Sequence, residues 1–280
     1  MLIKQRGSGD VLCSVQAATL ERASLEGRNL RRASLRGMAL TGANLSRSLL
    51  WQADLADADV AQADLRAVFL VEANLEQTNL EEANLEGADL RGANLRAARL
   101  GQANLRGADL TGANLEGASL TGAILVGCNL TRAVLAGAVL TGVDLTDADL
   151  SAADLTRARL ADAILVSSRL VGATLTGADL SSAIIVDADL TRAGLQGAFL
   201  SGASLRDARL GGVDFTRATL HGTVLAGADL SSADLSKTDL RGVDFSAANL
   251  QGTCFTQAGF NGSTVWPEGF EPEAHGAVRV

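Results

Sequence analysis

The sequence is poor in the residue types that most often carry out chemistry. Its 280 residues include no tyrosine, two histidines and three cysteines. His221 and His275 have no cysteine or carboxylate spacing that supports a metal site. The cysteines, Cys13, Cys128 and Cys254, show neither metal-type nor redox-pair spacing. Serine, threonine and aspartate are abundant, but they recur along the whole chain and mark no catalytic set. We therefore expect a protein that is not an enzyme and that has no cofactor or metal.

Long apolar runs are also lacking. The apolar stretch 133–140 is far too short to cross a membrane. Charged residues occur too early in the N-terminal segment, Met1–Arg6, for a secretory signal. An odd number of cysteines is typical of reduced thiols. These features predict a cytoplasmic protein that makes no membrane contact.

A five-residue repeat dominates what is present. A large apolar side chain, nearly always leucine, occupies every fifth position from Leu20 to Phe260 without an insertion. A small residue precedes it by two positions, as Ala93 precedes Leu95, and this spacing places both side chains on one face of a strand. A helix would instead rotate successive leucines by about 140° and scatter them. Glycine often follows the leucine by two positions, where a turn with positive φ favours it. The pattern therefore predicts short sides joined by sharp corners.

The repeat has a recognisable form. Residues 108–112 read Ala-Asp-Leu-Thr-Gly, and residues 113–117 read Ala-Asn-Leu-Glu-Gly. This A-[D/N]-L-x-G pattern resembles the pentapeptide-repeat family over about residues 16–262. The resemblance implies an all-β fold, a right-handed quadrilateral β-helix with four pentapeptides per coil, in which residues twenty apart stack. With about 4.8 Å between neighbouring strands, about twelve coils would form a solenoid roughly 60 Å long.

The two ends of the repeat need caps, because an open β-helix exposes unpaired strand edges and an apolar interior. Residues 1–15 are predicted to form a β-hairpin cap, since two apolar stretches flank Gly7–Asp10. Residues 16–262 are assigned to the β-helix, and residues 263–280 to a lumen plug and mobile tail. Trp266 and Phe270 are the expected plug residues. Arg28 is the one charged residue at an inward position, and we expect it to reach solvent at the mouth of the first coil.

Two groups of apolar residues occupy outward positions that the repeat usually gives to polar residues. Sorting by residue number modulo twenty places the first group, the Ile/Val stripe, on one face, interrupted by Asp144 and Arg206. The stripe consists of Ile124, Val126, Ile164, Val166, Ile184, Val186 and Val224. The second group, the Trp51 patch, lies on the next face and consists of Leu49, Trp51, Phe69 and Val71. Exposed apolar surfaces of this kind commonly mark an interface, although Ile and Val also suit strands anywhere.

Charge supplies a competing hypothesis. The chain has a formal net charge of −8, and many acids concentrate in one section, the acidic collar, in which Arg66 is the only base. The collar consists of Asp54, Asp57, Asp59, Asp64, Glu72, Glu76, Glu81, Glu82, Glu86 and Asp89. Some members of the resembled family are thought to imitate duplex DNA and to bind type II topoisomerases. The resemblance implies that this collar could present anions in place of phosphates.

Four observations weaken the DNA-mimic hypothesis. The collar spreads over all four faces rather than along one line, and Arg31, Arg32 and Arg36 precede it as a basic end. Asp or Asn before the central leucine can also bond local backbone. The segment Trp266–Gly269 does not resemble the C-terminal helix through which topoisomerase-binding relatives commonly dimerise.

We interpret the chain as a rigid, non-enzymatic protein-binding or scaffolding module. Its partner, or a second copy of the chain, would contact the Ile/Val stripe or the Trp51 patch, and no direct nucleic-acid binding is expected. The alternative is a DNA-mimicking modulator of DNA gyrase or a related topoisomerase that protects the enzyme from inhibitors.

Overall fold

The computed structural model describes residues 1–16 and 18–280, which form two compact units, Met1–Val139 and Leu140–Val280. Its named elements are short. They are strand β1 (Leu2–Lys4), strand β2 (Val11–Ser14), strand β3 (Gly259–Phe260), a 3-10 helix (Glu273–His275) and strand β4 (Val278–Arg279). Between β2 and β3 the chain consists of turns that alternate with single bridged residues, because each pentapeptide contributes only one bridge.

Each pentapeptide turns at the two residues that follow the central leucine. The Ala93 amide donates to the Leu90 carbonyl at 3.0 Å, and Gly92 between them has a φ of 64°. Glycine adopts this conformation without steric cost. The same conformation is imposed on Gln102 and Asp187, both with a φ of 57°. The predicted corner is confirmed. The repeat imposes the positive φ even on residues with a side chain, for which this backbone conformation is energetically unfavourable.

Successive coils pair in parallel at intervals of twenty residues. In the first unit Asn74 bridges Asn94, and Asn94 bridges Asn114. In the second unit Ile164 bridges Ile184 in the same way. A twenty-residue step contains four pentapeptides, so each coil has four sides. The expected stacking of residues twenty apart is therefore confirmed within each unit.

The inward positions form the core of each unit. Leu105 is fully buried and its equivalents from Leu20 to Phe260 are buried, as are most of the alanines two residues before them. Where a polar residue replaces the alanine, it bonds to a leucine carbonyl: Thr78 Oγ1 donates to Leu55 O at 2.8 Å. The Cys128 thiol donates to Leu105 O at 2.8 Å, and burial raises its pKa to about 12. Cys128 is thus part of the core.

The N-terminal strands cover the first coil. Strands β1 and β2 pair antiparallel, with a register irregularity between Ile3 and Lys4. Beyond β1, the Arg6 amide donates to Arg32 O at 2.7 Å, and the Ser34 amide donates to Lys4 O at 2.8 Å. Residues 32–34 have no earlier coil to pair with, so the hairpin satisfies an edge that would otherwise be open. Arg28 is exposed, as expected for a charge at the mouth of the first coil.

The repeat gains one residue after Phe260. Val265, twenty-one residues after Asp244, takes the next position in the ladder. Trp266 therefore falls where a central leucine would lie, and it stacks on Phe245. Phe270 stacks on Trp266 in turn, with ring centroids 5.2 Å apart. The aromatic side chains close this end of the core.

Strand β4, close to the C-terminus, continues the ladder. Strands β3 and β4 are parallel, with Gly259 opposite Val278 and Phe260 opposite Arg279. The Val278 amide donates to Ala258 O at 2.8 Å, and Ala277 is buried. This arrangement differs from the expected mobile tail. The physical reason is that β3 would otherwise present unpaired backbone groups at the open edge of the last coil.

Candidate interaction surfaces

The four residues of the Trp51 patch lie together on one side of the first unit. Leu49 and Phe69 bridge each other, and the Gln52 amide donates to Val71 O at 3.0 Å, which places Trp51 and Val71 on neighbouring coils. Trp51 is 41% exposed and Phe69 is 37% exposed. The patch therefore presents two aromatic side chains to solvent at positions that usually hold polar residues.

An arginine covers one face of the tryptophan. The Arg31 guanidinium carbon lies 4.5 Å from the centroid of the Trp51 ring. At an exposed site this cation–π contact contributes about 0.5–1 kcal/mol. Arg31, Arg32, Trp51, Gln52, Val71 and Glu72 line a depression of about 300 Å³. Sequence reasoning treated Arg31 only as part of a basic end, although its spacing of twenty residues from Trp51 predicts this contact.

The Trp51 patch ends at a polar border. In the following coil Arg91 donates to Asp89 at 2.7 Å and lies 3.8 Å from Asp109. The side-chain hydrogen bond from Arg91 holds the pKa of the Asp89 carboxyl below its usual value. The apolar surface on this side is therefore limited to two coils.

The Ile/Val stripe has a part in each unit. In the first unit Ile124 is 37% exposed. In the second unit Ile164 bridges Ile184, which is 43% exposed, whereas Ser204 stands between Ile184 and Val224 in the ladder. The half-buried members are Val126, Ile164, Val166, Val186 and Val224. The structure thus brings Ile164 and Ile184 into direct contact but separates Val224 from them by a polar residue.

Sequence reasoning missed one exposed aromatic side chain. Phe199 is 51% exposed and bridges Asp179 and Thr219 in the second unit. It borders a shallow depression that Arg157 and Arg159 also line. Phe199 directly precedes a central leucine, as Phe69 does, so the same deviation from the repeat would have identified it.

Five of the ten carboxylates of the acidic collar form ion pairs with arginines. Although Arg66 is the only base within the collar sequence, bases before and after it contribute ion pairs. The pairs are Arg36–Asp57 at 3.2 Å, Arg66–Asp64 at 2.6 Å, Arg91–Asp89 at 2.7 Å, Arg96–Glu76 at 3.1 Å and Arg99–Glu81 at 2.7 Å. Arg36, Arg96 and Arg99 reach these acids because the ladder brings together residues about twenty positions apart. Arg66 and Arg91 pair instead with the aspartates two residues before them.

Several collar aspartates also bond the backbone. Oδ1 of Asp54 accepts the amide of Ala56 at 3.3 Å, and Oδ1 of Asp64 accepts the amide of Arg66 at 3.2 Å. Asp59 and Asp89 accept the amide two residues later in the same way. The local backbone role predicted for aspartates before the central leucine is confirmed at these positions.

Across residues 1–16 and 18–280, no group of His, Cys, Asp or Glu is placed to hold a metal ion. In the same ranges no helix is both long and apolar enough to span a bilayer. The exposed Cys254 thiol lies 3.2 Å from Ser236 Oγ and 3.3 Å from Thr256 Oγ1, and these hydrogen bonds lower its pKa.

Comparisons with known proteins agree with this geometry. The chain matches the family described as pentapeptide repeats in eight copies, which begin with residues 13–47 and end with residues 223–262. HetL, a pentapeptide repeat protein involved in heterocyst differentiation regulation from the cyanobacterium Nostoc sp. strain PCC 7120, is 35% identical. That match covers 80% of this chain and 91% of HetL, with a TM-score of 0.53.

More distant matches share the repeat. AT2G44920, from the Arabidopsis thaliana thylakoid lumen, is 31% identical over 35% of this chain and 69% of its own, with a TM-score of 0.35. Full-length QnrB1, a plasmid-mediated fluoroquinolone resistance protein, is 20% identical over 60% of this chain and 91% of its own, with a TM-score of 0.34. No match was found among curated proteins. The repeat, its twenty-residue ladder and the family match together show that the chain belongs to the pentapeptide-repeat family, whose solved members are right-handed quadrilateral β-helices.

Proposed function

We propose that this protein is a rigid, non-enzymatic binding module that holds a partner protein, or a second copy of itself, on exposed apolar side chains. Members of the family are in general non-enzymatic structural modules. HetL, which is 35% identical, is described as involved in the regulation of heterocyst differentiation. A regulatory role of that kind is compatible with binding and supports the proposal.

The exposure of Trp51 beside Phe69 is the observation that carries the proposal. Both side chains lie outside the core, and their repeat positions are usually polar, so core packing does not require them. Aromatic residues dominate the binding energy of many interfaces, and exposed apolar patches commonly mark such surfaces. The closely bonded ladder also holds the patch in place, which lowers the ordering cost of binding. The Ile/Val stripe, with Ile164 and Ile184 at its centre, is proposed as a second contact.

The finer features of the fold belong to the same proposal. A solenoid of about twelve coils would present these surfaces. It would be capped by the hairpin of residues 1–15 and plugged by residues 263–280, and it would work in the cytoplasm.

A double substitution tests the main proposal. Trp51→Asp with Phe69→Asp should abolish association while circular dichroism remains unchanged, because both changes lie outside the core. Arg132→Asp, which adds the same charge at an exposed position, is the control. Self-association is measured by light scattering, and partner binding by cross-linking and affinity capture. An association that both variants retain would contradict the Trp51 patch as the interface.

The second candidate function is modulation of DNA gyrase or a related topoisomerase. The concentration of carboxylates in the acidic collar is the observation that favours it. The arginine pairs described above reduce that charge, so we rank this function second. A gyrase supercoiling assay, with and without a fluoroquinolone, tests it directly. The DNA-mimic hypothesis is supported if the protein inhibits gyrase or rescues it from the fluoroquinolone and the double variant Glu72→Gln with Glu82→Gln does not. The absence of any effect of the wild-type protein would reject the hypothesis.

A further inference from the structure

We infer that the Trp51 patch binds a short acidic and apolar segment of a partner protein. Carboxylates of that segment pair with Arg31 and Arg32, and its apolar side chains lie on Trp51, Phe69 and Val71. This inference rests on the proposed function and specifies the chemistry of the partner.

The Arg31 guanidinium is oriented by Trp51 and can bind a carboxylate. Its contact with the Trp51 ring orients the planar guanidinium, and neither Arg31 nor Arg32 has an ion-pair partner within the described part of the chain. Arg36, Arg66 and Arg91 in the same unit are all paired with aspartates. A planar guanidinium can bind a carboxylate through two parallel hydrogen bonds. The two arginines beside the patch are therefore available to a carboxylate from outside the chain.

The hairpin extends this positive border. The Arg6 amide bonds to Arg32 O at 2.7 Å, so the two arginines belong to adjacent backbone segments. Lys4, Arg6 and Arg28 are exposed and form no ion pair with any described residue. The apolar patch thus has a cationic border on its N-terminal side. A segment with acids at one end and apolar residues at the other complements this order.

The acidic collar argues against an extended polyanion on the same surface. Glu72 lies inside the depression and accepts a hydrogen bond from Gln52 Nε2 at 2.9 Å. Duplex DNA carries about one charge per 1.7 Å of its axis, and an anionic membrane is a continuous negative plane. Either would meet Glu72 and the collar as well as the arginines. A peptide can place its carboxylates over Arg31 and Arg32 and only apolar groups beyond them, so charge favours a protein segment.

Tryptophan fluorescence provides a direct test. The chain contains two tryptophans, and Trp266→Phe leaves Trp51 as the only reporter in the full-length protein. The probe is a synthetic peptide with two aspartates followed by phenylalanine and leucine. One matched peptide replaces the aspartates with lysines, and another replaces the apolar residues with alanines. The acidic apolar peptide should give a saturable fluorescence change that weakens with added salt. Both matched peptides should bind at least tenfold more weakly, because each loses at least one charged hydrogen bond or one buried apolar side chain.

Substitutions of the arginine separate its roles. Arg31→Gln should weaken peptide binding by about tenfold, and Arg31→Lys should also weaken it, because an ammonium keeps the charge but loses the planar paired geometry. Arg106→Gln, which removes an exposed and unpaired arginine elsewhere in the first unit, is the matched control and should leave binding unchanged.

Several results would overturn the inference. They are equal binding of the lysine peptide, no fluorescence change at millimolar peptide, and stronger binding of phosphatidylglycerol vesicles or of a single-stranded oligonucleotide than of the peptide. The two proposals fail in different ways. If Trp51→Asp with Phe69→Asp abolishes association but no peptide binds, the proposed function stands and this inference falls. If that double variant associates normally, the Trp51 patch falls as the interface and this inference falls with it.

Discussion

Trp266 stacks on Phe245 with ring centroids 4.9 Å apart and ring planes within 12° of parallel. This stacking joins the irregular end of the chain to the last regular coil. Phe255 and Phe260 contact the same indole edge to face, at centroid distances of 5.5 Å and 5.6 Å. One side chain therefore connects the final apolar positions of the core.

Removal of this side chain should destabilise the second unit. Trp266→Ala is expected to lower the free energy of unfolding by about 2–4 kcal/mol, somewhat less than for a fully buried aromatic residue, because Trp266 is half-buried. Trp266→Phe should retain most of the stability, since it keeps an aromatic ring over Phe245. Urea unfolding followed by circular dichroism gives the measurement, and equal stability of the alanine variant and the wild type would contradict the plug.

A substitution in the repeat core tests the inward and outward assignment. Leu105→Ala should lower the free energy of unfolding by about 2–5 kcal/mol, because Leu105 is fully buried and the alanine leaves a cavity. Arg106→Ala, at the next residue but exposed, should change stability by less than about 0.5 kcal/mol. Chemical denaturation of the two variants provides the comparison, and a negligible effect of Leu105→Ala would be inconsistent with the described core.

The Ile/Val stripe can be tested independently of the Trp51 patch. Ile164→Asp with Ile184→Asp places two charges on bridged neighbours in the second unit, outside the core, so the fold should remain intact. Association through the stripe should be lost, because an interface would have to bury both carboxylates without partners. Light scattering and pull-down measure the effect, with Arg132→Asp, an exposed position outside the stripe, as the charge-matched control. Unchanged association would exclude the stripe as an interface.

The thiols of Cys128 and Cys254 should react at different rates. Hydrogen bonds from Ser236 and Thr256 lower the pKa of the exposed Cys254, whereas burial raises the pKa of Cys128 to about 12. A lower pKa leaves more of the reactive thiolate at neutral pH. In the folded protein Cys254 should therefore be modified quickly by a thiol reagent, and Cys128 only on unfolding. Ser236→Ala should slow the reaction of Cys254, and mass spectrometry of the labelled sites would show whether Cys128 reacts first, contrary to this expectation.

The repeat geometry follows from sequence because its causes are local. The spacing of Ala93 and Leu95 fixes which side chains point inward. The second residue after each central leucine, such as Gly92 after Leu90, takes the positive φ that makes the corner. These relationships span five residues and recur without interruption. The core and the corners could therefore be predicted from the repeat itself, whereas the grouping of Leu49, Trp51, Phe69 and Val71 also needed the twenty-residue coil that the family resemblance implies.

The ion pairs and the C-terminal strand depend on longer-range geometry. Arg99 pairs with Glu81, eighteen residues earlier, and Arg36 with Asp57, twenty-one residues later, so the reach and rotamer of each side chain decide the partner. Strand β4 follows a segment without the repeat, and only the open edge of β3 explains its position. Neither relationship is encoded in a five-residue pattern.

The four-pentapeptide coil restricts how such a surface can change during evolution. An insertion of twenty residues within one unit would add one coil and leave the later side chains of that unit on their original faces. An insertion of five residues would preserve the core equally well but would rotate every later outward residue to the neighbouring face. An insertion that leaves folding unaffected would then separate the residues of any binding surface that spans it. Duplications in this gene should therefore be tolerated in multiples of twenty residues wherever a surface has acquired a function.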